Sequence, residues 1–167
     1  MKLIQNLFKT NDDYGALVLR VMLAIVMFPH GAQKVLGGFG GYGFDGTMKF
    51  FTETMHIPAP LALLAITAEF FGPMLLVAGL LSRVAAFGIG VTISVAALTV
   101  ALPNGFFMNW FGNQKGEGFE YHLLMAGMAA AVVIQGGGKW ALDAVIQRRL
   151  SGAATTQPAP AYATATH

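Results

Sequence analysis

The chain has 167 residues, of which 55% are hydrophobic and only 11% charged, with a mean hydropathy of +0.60 and a formal net charge of +2. Soluble domains carry about 25% charged residues, so this composition excludes an ordinary soluble domain, and Lys and Arg too scattered to form a basic stripe exclude nucleic acid as a partner. Cysteine is absent, which removes disulfides, thiolate nucleophiles, Cys-ligated iron–sulfur clusters and covalent c-type haem. A redox role would have to run through a bound quinone, flavin or b-type haem, or through a partner subunit.

The N-terminal segment, residues 1–13, lacks the apolar core and cleavage site of a signal peptide. Leu3, Ile4, Leu7 and Phe8 recur at helical spacing between lysines, which predicts a helix lying on the membrane surface. Crossing the hydrocarbon takes about 20 apolar residues. Four stretches are read as spans: Tyr14–Leu36, Leu61–Leu81, Val84–Leu102 and about Phe119–Gln135. Only Ser82 and Arg83 separate the second from the third, making those helices antiparallel neighbours. The long connections Gly37–Pro60 and Pro103–Gly118 then fall on one side.

That side carries Lys34, Lys49 and Lys115; the other carries Lys2, Lys9, Arg83, Lys139, Arg148 and Arg149. The positive-inside rule places both termini in the cytoplasm. Lys139–Leu150 reads as a short interfacial helix, with Trp140 at headgroup level and Arg148-Arg149 meeting anionic lipid. The remainder, 151–167, reads as a disordered tail. The expected architecture is therefore an all-α, four-transmembrane-helix bundle over 14–150 with short interfacial helices.

Ionisable residues inside apolar spans are costly and mark partners or sites. At about 1.5 Å of rise per residue, Arg20 lies roughly 9 Å deep from the cytoplasmic end and Glu69 roughly 12 Å deep from the outer end. His30 lies about 15 Å beyond Arg20, with Lys34 one turn further. An Arg20–Glu69 ion pair is expected, with His30–Glu69 as a competing contact. The pair would either fix helix register or form part of a site. Pro29 frees the carbonyl of Ile25 and predicts a kink, and Gly31 lets a backbone or a ligand approach. His30 and Lys34 share a face, which suits a polar pocket at the outer mouth. For Lys34 taken alone, snorkelling to the interface is the better-supported reading.

Glu120 and His122 are two apart and cannot both face one site; either is the bundle-facing group, and Glu120 suits a helix N-terminus. These donors lack the i, i+3 or i, i+4 pairing of helix-borne metal sites, so no metal is expected. His30 with His122 is the one membrane pair for a bis-histidine haem b, a weaker alternative to quinone. Gly38-Phe39-Gly40-Gly41-Tyr42-Gly43 matches a dinucleotide fingerprint but follows an apolar helix rather than a strand, so it is discounted.

Three blocks in order resemble the DoxX family: Arg20 with His30-Gly31-Ala32-Gln33-Lys34; Glu69 through Arg83; and Glu120-Tyr121-His122-Leu123-Leu124 with the Gly136–Asp143 turn. Ala141, just before Leu142-Asp143, stands where the family usually has serine. The resemblance implies a four-helix bacterial inner-membrane protein, with some relatives similar to the membrane subunit of a thiosulfate:quinone oxidoreductase. The family name supplies no reaction of its own; the polar outer-side cluster in an otherwise apolar bundle points to a redox-associated subunit that binds a quinone-like carrier and works with a soluble oxidoreductase among membrane lipids. In that reading His30 exchanges protons, Lys34 and Arg20 stabilise negative charge, Glu69 holds Arg20 or His30, and Glu120 and His122 complete the site. A non-enzymatic scaffold or a small-solute transporter is the alternative. Oligomeric state stays open.

Overall fold

The computed structural model describes residues 2–155, with side chains over 4–151. Among these residues all regular structure is helical. Helix α1 is Lys2–Leu7, α2 Tyr14–Leu36, α3 Gly43–Lys49, α4 Ala59–Ala78, α5 Ser82–Ala96, α6 Glu120–Gln135 and α7 Leu142–Thr155. Past α5 the chain winds through a wide π turn, Ala97–Ala101, and a 3-10 turn, Leu102–Asn104. Pro103 cannot donate to the carbonyl of Thr99, which accounts for the change of winding there.

Helices α2, α4, α5 and α6 close into a ring, each packed on the next, with α6 returning to α2. Their shared core holds Leu23, Met27, Leu76, Ile89, Ile93, Met125 and Val132. Exposed apolar residues surround it, among them Val18, Ile25, Leu64, Phe71, Phe87, Leu98 and Leu124. Such a molecule buries its small and medium side chains and shows its large ones outward, as a lipid solvent demands.

Three helical stretches are long and apolar enough to cross a membrane: Tyr14–Leu36, Ala59–Ala78 and Ser82–Asn104. The fourth expected span is a shorter apolar helix, Glu120–Gln135. The second span starts and ends earlier than its sequence pattern suggested. Gly79 (φ 63°) adopts the left-handed conformation that stops α4, and Leu81 (φ 50°) holds the same region just before α5.

One end of the ring is tied together by backbone polar groups. Arg20 is 2% exposed and donates Nη1 to the carbonyls of Leu76 (2.5 Å) and Val77 (2.9 Å), and Nη2 to that of Lys139 (3.1 Å). It thus caps the C-terminus of α4, the negative end of that helix, sharing the Leu76 carbonyl with the Gly79 amide. Asp143, 1% exposed, does the converse for α5, accepting from the amides of Leu81 (2.7 Å) and Ser82 (2.9 Å). Arg83 closes α6 by donating to the carbonyl of Val133, and reaches the carbonyl of Lys9 at 3.0 Å. The turn Gly136-Gly137-Gly138 threads between these groups. A Cβ on Gly138 (φ 73°) would stand 2.6 Å from the carbonyl oxygen of Asp13, so neither conformation nor space admits a side chain. Thr10 stitches both termini in: its hydroxyl accepts from Gly138 (2.7 Å) and its amide donates to Gln147 (3.0 Å).

Helix α7 continues past Leu150 to Thr155, into the stretch expected to be a disordered tail from 151; the rest of that stretch, 156–167, lies outside the described residues. The glycine-rich G-x-G-x-x-G stretch forms a 3-10 turn, Gly38–Gly40, leading into α3. Gly41 lies so close to the backbone of Gln33 that a Cβ would collide with it.

Candidate functional site

The two basic groups of α2 beyond Arg20 sit at the other end of the ring, on the flank where α2, α4 and α6 meet. Gly31 brings the helices together. A Cβ there would overlap the carbonyl of Glu69 and stand 2.6 Å from the Cα of Phe70, so α2 lies on the α4 backbone at that level. Pro73 strengthens the arrangement from within α4. Proline has no N–H for the carbonyl four residues back, and that carbonyl belongs to Glu69, the one Gly31 packs against.

With the backbones in contact, Lys34 reaches the carboxylate of Glu69 and forms an ion pair. Glu69 is 5% exposed; a carboxylate so placed requires a partner, and Lys34 supplies it. This corrects two expectations. Lys34 does not merely snorkel, and Glu69 does not pair with Arg20. Seven residues of α4, about 10 Å of rise, separate Glu69 from Leu76, where the Arg20 guanidinium is engaged. Depth from opposite membrane faces overestimated how near the two came, and carbonyls at the end of α4 took the arginine's donors.

His30 is exposed on this flank. Its Nε2 lies 3.4 Å from the hydroxyl of Tyr121, with the rings 6.1 Å apart. Tyr121 was not singled out from the sequence. Its position between Glu120 and His122, on the face neither of them takes, is the signal that a helical count would have supplied. His122 is half-buried, and its Nδ1 is a buried atom without a hydrogen-bond partner. Phe28 and Phe70 stack at 6.3 Å and Phe71 meets Phe70 edge-on at 5.1 Å, but Phe28, two residues from His30, takes a different face of α2.

Glu120 serves a different purpose. Its carboxylate accepts from the amide of Met108 (2.8 Å) and from the indole of Trp110 (3.3 Å). Together with Asn109 and Glu117 it folds the 105–118 loop over this end of the ring. The structure therefore gathers His30, Lys34, Glu69, Tyr121 and His122, places Glu120 one step behind them, and sets Arg20 at the far end. No group of three or more His, Asp or Glu residues able to hold a metal occurs among the described residues. The cluster lies on an open flank. Two surface cavities lie on other segments, one lined by Lys9 and Arg83, the other by Tyr42 and Lys49.

The sequence model of the DoxX family matches residues 15–102. The chain is 30% identical over 120 residues to a Bacillus subtilis (strain 168) protein named "Putative oxidoreductase CatD", covering 72% of this chain and 79% of that one. It is 27% identical over 142 residues to "Inner membrane protein YqjF" of Escherichia coli (strain K12), covering 84% and 98%. No solved structure matches the chain.

Proposed function

The chain belongs to the DoxX family and is a multi-pass inner-membrane protein, and we propose that it is a redox-associated subunit whose α2–α4–α6 flank binds a quinone-like carrier. The observation that carries the reading is the exposed His30 ring beside the Tyr121 hydroxyl, one turn from a Lys34–Glu69 ion pair. All four ring helices cross the bilayer in this reading. The end bearing Lys9, Arg83, Lys139, Arg148 and Arg149 faces the cytoplasm, so the cluster opens toward the outer leaflet.

The residues fit such a carrier. A quinone presents two carbonyl oxygens on an apolar ring, and the site offers hydrogen-bonding groups on the His30 and Tyr121 rings, whose centroids lie 6.1 Å apart. When bound, the carrier supplies two-electron, two-proton chemistry. The chain's own part is to position a proton at His30 Nε2 and to pass it through the Tyr121 hydroxyl. Imidazole suits that task because it gains and loses its proton near neutral pH. The Lys34–Glu69 pair fixes the charge balance one turn away without itself carrying the proton. Arg20 takes no part, because its donors are spent on backbone at the other end. The relative named as an oxidoreductase supports the redox assignment.

The test is a lipid-extract mass spectrum of protein purified in mild detergent, compared with His30→Ala and Tyr121→Phe. Retention of quinone by the wild type and its loss in both variants is expected. Equal quinone in all three, or none in any, overturns the reading. Solute uptake by reconstituted vesicles that is lost on Glu69→Gln would favour a transporter instead.

A further inference from the structure

At the opposite end of the molecule, a cavity of about 370 Å³ opens between the N-terminal segment, the start of α5 and the end of α6. That volume falls within the range of about 300–1,000 Å³ usual for small-ligand sites. Asn6, Lys9, Asn11, Arg83, Ile134 and Gln135 line it. Two of these carry positive charge, three are amides, and none is acidic. Among the described residues the Lys9 ammonium makes no ion pair. Arg83 spends Nε and Nη1 on the carbonyls of Lys9 and Val133, which leaves its other terminal nitrogen without a hydrogen bond among those residues. The cavity is thus a cationic, amide-rimmed recess held rigid by backbone.

Its surroundings identify the occupant. Ile134, at the rim, is 74% exposed. From Arg83 an apolar stripe runs along the outward face of α5: Phe87 and Val91 lie within an arc of roughly 80° of it at about 100° per residue, and Leu98 follows in the π turn beyond; they are 63%, 47% and 68% exposed. Nearby, Trp140 projects outward against Tyr14, as aromatic side chains do at headgroup level. A polar, cationic recess at that level with an acyl-length apolar track leading away from it matches an amphiphile with an anionic head.

We propose that this recess binds the phosphate of an anionic phospholipid, with Lys9 and Arg83 on the phosphodiester, the amides of Asn6, Asn11 and Gln135 on the glycerol head, and an acyl chain along Phe87, Val91 and Leu98. The site is independent of the His30 flank. Free phosphate shares the head chemistry but would make no use of the α5 stripe.

The test is native mass spectrometry of the full chain titrated with phosphatidylglycerol, phosphatidylethanolamine or inorganic phosphate. Phosphatidylglycerol should bind at least tenfold more tightly than either of the others. Lys9→Glu should weaken it on the order of tenfold or more, and Phe87→Gln should weaken it without creating affinity for inorganic phosphate. Lys9 is exposed, and its carbonyl rather than its side chain holds Arg83, so Lys9→Gln serves as a second variant that keeps the fold. Binding unchanged in Lys9→Glu and Lys9→Gln, or equal affinity for phosphatidylethanolamine, overturns the proposal. Inorganic phosphate bound as tightly as phosphatidylglycerol, with Phe87→Gln silent, overturns it in favour of a free-anion site.

Discussion

Replacing Arg20 by Met separates the two polar ends of the bundle most directly. The guanidinium makes three bonds to backbone carbonyls, of 2.5, 2.9 and 3.1 Å. Charged hydrogen bonds contribute about 1.5–3 kcal/mol each, but the released carbonyls at the end of α4 regain some water and some 3-10 bonding. The cost should therefore approach that of breaking a buried charged contact, about 3–5 kcal/mol, rather than the sum. Glu69 makes its ion pair with Lys34, whose side chain is 22% exposed against 7% for the glutamate, so that coupling should be smaller, about 1–2 kcal/mol after solvent screening. The assay is equilibrium unfolding in mixed micelles, arranged as double-mutant cycles of Arg20→Met, Lys34→Met and Glu69→Gln. Lys34 and Glu69 should couple, whereas Arg20 and Glu69 should add to within about 0.5 kcal/mol, as distant sites do. Coupling of Arg20 to Glu69 above about 1 kcal/mol, or a cost of Arg20→Met below about 1 kcal/mol, would refute the assignment of the arginine to the α4 terminus.

Other substitutions probe single contacts. Gly31→Ala forces a methyl into the Glu69 carbonyl; it should destabilise by about 1–3 kcal/mol and weaken quinone retention, read by the same unfolding and extraction measurements. Asp143→Ala leaves the Leu81 and Ser82 amides without their acceptor and should lower stability by about 1–3 kcal/mol, while Asp143→Asn recovers part of it. Glu120→Gln should loosen the loop while leaving the bundle intact. Trp110 emission would shift to longer wavelength and proteolysis would concentrate in residues 105–118, with the unfolding midpoint moving little.

The helical class and the first span were legible from hydropathy alone, because apolar length is a local property. So were the Gly-rich stop after the fourth stretch and the short turn between α4 and α5. The pairing of charges was not. Depth counted inward from each face treats helices as straight rods of equal register, whereas Gly31 and Pro73 bring α2 onto α4 at the level of Glu69 and deliver Lys34 rather than Arg20 to it. Arginine's preference for backbone carbonyls at a helix end leaves no periodic trace, since its acceptors are main-chain atoms. Tyr121 escaped notice for a simpler reason: a tyrosine in an apolar helix looks like an interfacial anchor until a histidine is found opposite its hydroxyl.

Arg83 allows α6 to be short. A helix of 16 residues rises about 24 Å, less than the roughly 30 Å of a hydrocarbon core, and its last carbonyls would ordinarily have to reach water. The guanidinium donates to the carbonyl of Val133, so the helix can end where the headgroups come down to meet it. The four-span molecule proposed above is then unequal around its circumference, with full-length walls at α2 and at the continuous stretch Ser82–Asn104 and a low wall at α6. Lipids on the low side must compress to meet it, at a cost of a fraction of a kcal/mol per Å of mismatch. This hydrophobic mismatch makes the α6 flank the edge along which the protein would favour thinner bilayer.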